Sequence, residues 1–172
     1  NCLGTYAPAS GLSFMAGSSS RAGGVTVLAQ SGGLSMDILR RGQRRGVAYR
    51  SLITMGDCAD LGPADLLPWF LEDPETKVIG LYLEDAPGGR ALFEALAKAK
   101  GRKPVVLLIG GRTDAGARAA SSHTGALASD RRVWDAVARQ TGAALVDTLD
   151  GFIDALLACQ MFTPRYGAPT RR

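Results

Sequence analysis

His123 is the only histidine of the chain, set in Ala120-Ser121-Ser122-His123-Thr124-Gly125-Ala126, where no neighbour has much bulk to pack against it. An imidazole is the one side chain whose ordinary titration lies near neutrality, and it serves as nucleophile, acid or base. Two readings are open: a polar loop residue, or a nucleophile whose small neighbours let a phosphoryl donor approach. "AQSGGLS" at 29–35 is a second feature, a strand end running through Ser31, Gly32 and Gly33 into a helix. Unpaired N–H groups and the dipole at a helix start attract an anion. Ser31 is equally suited to be a plain N-cap. Glu84, at the end of "VIGLYLE", is a third. It either marks the exit of a strand to solvent or accepts a hydrogen bond from one imidazole nitrogen. Asp85 follows, and strand alternation sends the two carboxylates to opposite faces, so only one of them serves.

These groups meet only if the elements bring them to one place. "GVTVLAQ" (24–30), "VAYRSLITM" (47–55), "KVIGLYLE" (77–84), "KPVVLLIGG" (103–111) and "AALVD" (143–147) read as five strands. Helical stripes follow at Leu34, Ile38 and Leu39, at Leu92, Phe93, Leu96 and Ala97, at Val133, Trp134, Val137 and Ala138, and at Phe152, Ile153, Leu156 and Leu157. Another helix begins near Pro63, and Pro68 is expected to kink or restart it. Residues 1–23 and 112–129 read as loops rich in small residues. Strands alternating with helices predict an α/β fold, a doubly wound five-stranded parallel sheet covered on both faces. Ligands of such sheets gather at the carboxyl ends of the strands, the edge where Ser31, Glu84 and the His123 loop all fall.

Composition narrows the classes. Hydrophobic residues make up 46% and charged ones 21%, ordinary for a globular domain. The net charge of +4 is mild, and no aromatic-interleaved basic stripe accompanies the arginines of 40–50 and 171–172, so no nucleic-acid partner is expected. No apolar run approaches the roughly 18 residues of a membrane span. Cys2, Cys58 and Cys159 are odd in number and widely spaced, which fits a reducing, cytoplasmic setting without disulfides. One histidine and no paired cysteines supply no metal-ligand cluster. Arg112 is open to anion binding or to a salt bridge.

"NCLG" (1–4), "AQSGGLS" (29–35), "LYLED" (81–85), "KPVVLLIGGRTDAGARAASSHTGALA" (103–128) and "VWDAVARQTGA" (133–143) resemble, in order and spacing, the NDP-forming acyl-CoA synthetases. This group includes the ADP-forming acetyl-CoA synthetases and is related to succinyl-CoA synthetase. The matching region is the flavodoxin-like, succinyl-CoA ligase-like domain of the alpha part. The resemblance implies interconversion of acyl-CoA, NDP and phosphate with carboxylic acid, CoA and NTP, through an acyl phosphate and a phosphohistidine. By the same resemblance His123 takes the phosphoryl group and Glu84 holds the histidine. Ser31, Gly32 and Gly33 cradle phosphate, and Asn1 and Cys2 lie near the CoA thiol.

The resemblance also implies an organisation. Residues 1–23 are the lead-in from an N-terminal CoA-binding Rossmann domain, 24–160 the phosphohistidine domain, and 161–172 a linker or tail. CoA, the nucleotide and Mg are expected to be bound through that domain and an ATP-grasp domain or subunit, with a small carboxylic acid as the other substrate. No cofactor is expected to be held tightly by this chain, and the chain alone is expected not to turn over. Two rival classes are a metabolite-sensing, non-catalytic module like those fused to protein acetyltransferases, and an FMN-binding flavodoxin-like domain. The intact "SHTG" favours the enzyme over the sensor, and the scarcity of Tyr and Trp near strand ends disfavours FMN.

Overall fold

Apolar strands and amphipathic stripes assemble here into a sheet wrapped by helices. The computed structural model describes residues 2–14, 16, 18–86, 88–111 and 131–166, with side chains as far as Thr163. In chain order the elements are β1 (Thr5–Tyr6), a 3-10 turn (Pro8–Ser10), β2 (Val25–Ala29), α1 (Gly32–Arg45), β3 (Tyr49–Thr54) and α2 (Pro63–Glu72). They continue with β4 (Val78–Leu83), α3 (Gly89–Ala99), β5 (Val105–Ile109), α4 (Arg131–Thr141), β6 (Ala144–Val146) and α5 (Leu149–Tyr166).

The sheet order is β1-β3-β2-β4-β5-β6, with β1 antiparallel to β3 and every other pairing parallel. The five expected parallel strands are all present, in the second-first-third-fourth-fifth order of flavodoxin-like sheets. The sheet has a sixth strand, so the count of five is corrected. β1 lies within residues 1–23, read from the sequence as a loop; two residues carry no periodicity, and only the exposed edge of β3 selects them. At the other end, α5 continues through Tyr166, into the stretch read as a tail.

Two apolar layers cover the sheet. On one face Val25, Val27, Ala29, Val106 and Leu108 pack against Ile38 and Leu39 of α1 and Phe152, Ile153 and Leu156 of α5. On the other, Leu28, Ile79, Leu81, Leu83 and Leu107 meet Leu67 and Phe70 of α2, Leu92 and Leu96 of α3 and Trp134 of α4. The chain thus leaves β2 toward one face, through α1, and leaves β4 toward the other, through α3. The carboxyl ends of β2 and β4 flank the point where the winding reverses, and a crevice opens there in sheets of this kind.

Packing rotates some stripes from where the spacing puts them. In α3 the buried residues are Leu92, Ala95, Leu96 and Ala99, while Ala97 is exposed. In α4 Trp134 is buried but Val133 is 54% exposed. Helix α2 runs as one element through Pro68, with no restart. Pro68 sits on its exposed side, where water can satisfy the carbonyl that a proline nitrogen cannot reach, and Leu67, Phe70 and Leu71 anchor the other side in the core.

Candidate functional site

Helix α1 starts as an N-cap turn demands. Ser31 is extended, and its hydroxyl accepts the Leu34 N–H at 3.2 Å. Gly32 and Gly33 are the first two helical residues, the positions whose N–H groups have no partner inside a helix. Gly32 is buried and Gly33 exposed, with no atom within 4 Å of where a Cβ on Gly33 would stand. Ser31 thus caps the helix with its side chain, and the space in front of Gly33 stays open.

Gln30, the residue before Ser31, ties this turn to the end of β4. Its side chain is 3% exposed. Its amide oxygen accepts the N–H groups of Glu84 and, at 3.1 Å, of Asp85, and its amide nitrogen donates to the Asp85 carboxylate. The same nitrogen lies 3.4 Å from the Cys58 sulfur. Asp85 is thereby held beside Gln30. Glu84 has a different partner: the Tyr82 hydroxyl donates to its Oε1 at 3.2 Å. Both residues lie past the end of β4, and their carboxylates have different partners, Gln30 for Asp85 and Tyr82 for Glu84.

Burial, then the Glu84 charge and the hydrogen bond to it, push the Tyr82 phenol far above its ordinary value, so it stays a donor at neutral pH. Burial also pushes the Cys58 thiol up, opposed by the Gln30 hydrogen bond and reinforced by the charges of Asp85, Asp57 and Asp65. A thiol so raised is protonated and a poor nucleophile.

Cys2 reaches the same edge of the sheet. Its sulfur donates to the Thr54 carbonyl at 2.9 Å, and the Thr54 hydroxyl accepts from Leu3 and Gly4 N–H at 2.9 and 2.7 Å. Thr54 ends β3 directly beside Ala29 of β2. Ser31, Gly32, Gly33, Glu84 and Cys2 thus converge at the carboxyl ends of β2, β3 and β4. Asn1, Arg112 and His123 lie outside the described residues.

Sequence reasoning passed over Gln30, Thr54 and Gly110. Gln30 and Thr54 each stand at the end of an apolar strand, but only the folded structure shows that each is almost fully buried. Among the described residues no group of three His, Cys, Asp or Glu side chains could hold a metal ion, and no helix is long and apolar enough to cross a membrane. A cavity of about 660 Å³ lies at the opposite, amino-terminal edge. Lys100, Arg102 and Lys103 line it, but their side chains bind the Gln140 carbonyl, Glu72, and the Phe70 and Asp73 carbonyls.

Known proteins share this arrangement of elements. Residues 22–159 match the family described as the succinyl-CoA ligase like flavodoxin domain. The alpha subunit of acetate–CoA ligase [ADP-forming] II from Pyrococcus furiosus is 31% identical over 165 residues, 96% of this chain and 36% of that subunit. Acetate–CoA ligase [ADP-forming] from Methanocaldococcus jannaschii is 34% identical over 134 residues, 78% of this chain and 19% of the ligase. Among solved structures, the dinucleotide-forming acetyl-coenzyme A synthetase 1 of Ca. Korarchaeum cryptofilum, in complex with phosphate and ADP, superposes with a TM-score of 0.83 at 31% identity. That match covers 93% of this chain and 35% of the synthetase. The chain spans little more than a third of its longest-matched relatives. With the family match running from before β2 into α5, and relatives above 30% identity along nearly all of its length, the chain belongs to the succinyl-CoA ligase-like flavodoxin domains.

Proposed function

We propose that this chain is the phosphohistidine-bearing domain of an NDP-forming acyl-CoA synthetase, an acid–thiol ligase. The convergence of an open helix N-terminus and a held carboxylate at the winding reversal of the sheet carries this reading. In the reaction, a phosphate oxygen attacks the thioester carbonyl, the C–S bond breaks, and CoA thiolate leaves an acyl phosphate. An imidazole nitrogen of His123 then attacks phosphorus, and the carboxylate departs with the bridging oxygen. The phosphoryl group passes from nitrogen to a terminal oxygen of NDP, giving NTP and free histidine.

This chain's own groups have three tasks. The Gly32 and Gly33 amides, with the helix dipole, stabilise the phosphate and acyl phosphate. Glu84 accepts the N–H of one imidazole nitrogen and so makes the other the nucleophile. Cys2 and Asn1 line the approach of the thioester. CoA, nucleotide and Mg are held by a Rossmann domain and an ATP-grasp domain or subunit of the same enzyme, so residues 1–172 by themselves do not turn over. The names and lengths of the relatives support this division.

The test is incubation of the full-length parent protein with γ-labelled ATP. Acid-labile, base-stable label is expected in the parent and lost in His123→Ala. A folded parent that takes up no label overturns the phosphohistidine and with it the synthetase reading.

A further inference from the structure

Two adjacent carboxylates end β4, and the structure treats them differently. Asp85 is bound through its side chain to the buried Gln30 amide. Glu84 is gripped twice, its N–H by the Gln30 side-chain amide oxygen and its Oε1 by the Tyr82 hydroxyl. Its second carboxylate oxygen has no hydrogen-bond partner among the described residues.

Space for this grip is made by Gly110, the first residue after β5. A Cβ on Gly110 would stand 2.7 Å from the Tyr82 hydroxyl oxygen and 3.3 Å from Glu84 Cγ. The Gly110 N–H also bonds to the Leu83 carbonyl at 2.7 Å, which locks the β5 exit against the strand end that bears Glu84. The positive-φ Gly111 follows. The phenol, the carboxylate and the bare glycine therefore form one packed unit at the ends of β4 and β5.

We propose that Tyr82 is the positioning residue for Glu84: its hydroxyl holds Oε1, in room left by Gly110, so that the other carboxylate oxygen is presented in one orientation to the imidazole. This rests on the reading of Glu84 as the carboxylate that holds the histidine. The phenol, kept protonated by burial, is a donor throughout the neutral range and takes no proton in the reaction. The Gln30 side chain adds a bond to the Glu84 backbone N–H and holds Oδ1 of Asp85.

Tyr82→Phe removes one oxygen and keeps the ring that packs against the core. In the full-length protein the first-order rate of label transfer from γ-labelled ATP is expected to fall about 10-fold, the scale of a misplaced catalytic group, with the nucleotide concentration for half-maximal rate unchanged. Combined with Glu84→Ala, Tyr82→Phe is expected to add no further loss, because a residue that acts only through Glu84 has nothing left to orient. Gly110→Ala, which displaces the phenol, is expected to mimic Tyr82→Phe. A parental rate in Tyr82→Phe overturns the proposal, and so does an equal fractional loss in the Glu84→Ala background, which marks a general packing role. Label absent from the parent itself overturns the phosphohistidine reading and this role together, whereas label present with Tyr82→Phe unaffected overturns this role alone.

Discussion

Ser31 joins two functions that one substitution can separate. Its hydroxyl occupies the Leu34 N–H, and the glycine amides before Leu34 are the ones proposed to meet phosphate. Ser31→Ala is expected to lower stability by about 1 kcal/mol through the lost cap, read as a shift in the urea midpoint. Ser31→Asp keeps an N-cap acceptor and favours the helix dipole, so stability is expected to stay near the parent's. It also places a fixed negative charge where the anion must bind. In the full-length enzyme, the phosphate concentration for half-maximal acyl-CoA cleavage is expected to rise at least about 10-fold, the equivalent of about 1.4 kcal/mol. An unchanged phosphate dependence in Ser31→Asp would remove Ser31, Gly32 and Gly33 from the anion site. At this scale the places of Ser31, Gly32 and Gly33 at a helix start and of Glu84 just past a strand end were legible, since these are local patterns. Gln30 was not, because a glutamine reads as polar and exposed until its partners, 54 and 55 positions away, are in view.

Helix α2 shows what decides an element when local signals conflict. Pro63 occupies its first turn, and the Asp65 carboxylate accepts the Gly62 N–H at 2.9 Å. Pro68 argues for a break, and the buried face of Leu67, Phe70 and Leu71 prevails. Asp73 ends the helix with its side chain only 8% exposed. Burial alone would raise its pKa. Hydrogen bonds from the Thr76 hydroxyl, at 2.7 Å, and the Glu75 N–H, with the nearby charges of Arg50 and Lys103, outweigh this and hold it below the ordinary value. A carboxylate depressed in the folded state contributes stability that is complete above its unfolded pKa of about 3.9 and is lost as pH falls through the folded value. Asp73→Asn is therefore expected to lower the urea midpoint at pH 7, and the gap to the parent is expected to narrow below about pH 4. A gap that is constant from pH 7 to pH 3 would show that the charge contributes nothing. The arginines that stood out at 40–50 also find their use between elements. Arg45 bridges Asp150 and Asp154 of α5 at 2.9 Å each, and Arg50 lies 3.3 Å from Asp73.

The whole molecule depends on helices lying close on a doubly covered sheet, and Gly80, in the middle of β4, sets that distance for α5. A Cβ there would stand 2.7 Å from Phe152 Cζ and 3.1 Å from Leu156 Cδ2. Gly80→Ala is expected to cost about 1–3 kcal/mol by overpacking, measured by urea unfolding, and an unchanged midpoint would show that α5 yields without cost. The sequence by itself determined the alternation of five strands with helices, because continuous apolar runs and 3.6-residue stripes are local patterns that burial on two faces imposes. It also placed Ser31 and Glu84 at strand ends, and so on one edge of any parallel sheet. Only the tertiary structure decided that β1 adds a sixth strand, that α3 and α4 turn Ala97 and Val133 outward, and that the Tyr82 hydroxyl holds the Glu84 carboxylate while the Gln30 amide holds that of Asp85. Those outcomes rest on hydrogen bonds and contacts between residues far apart in the chain, such as Gln30 with Glu84 and Asp85 and Tyr82 with Gly110, which have no periodicity to be read before the chain folds.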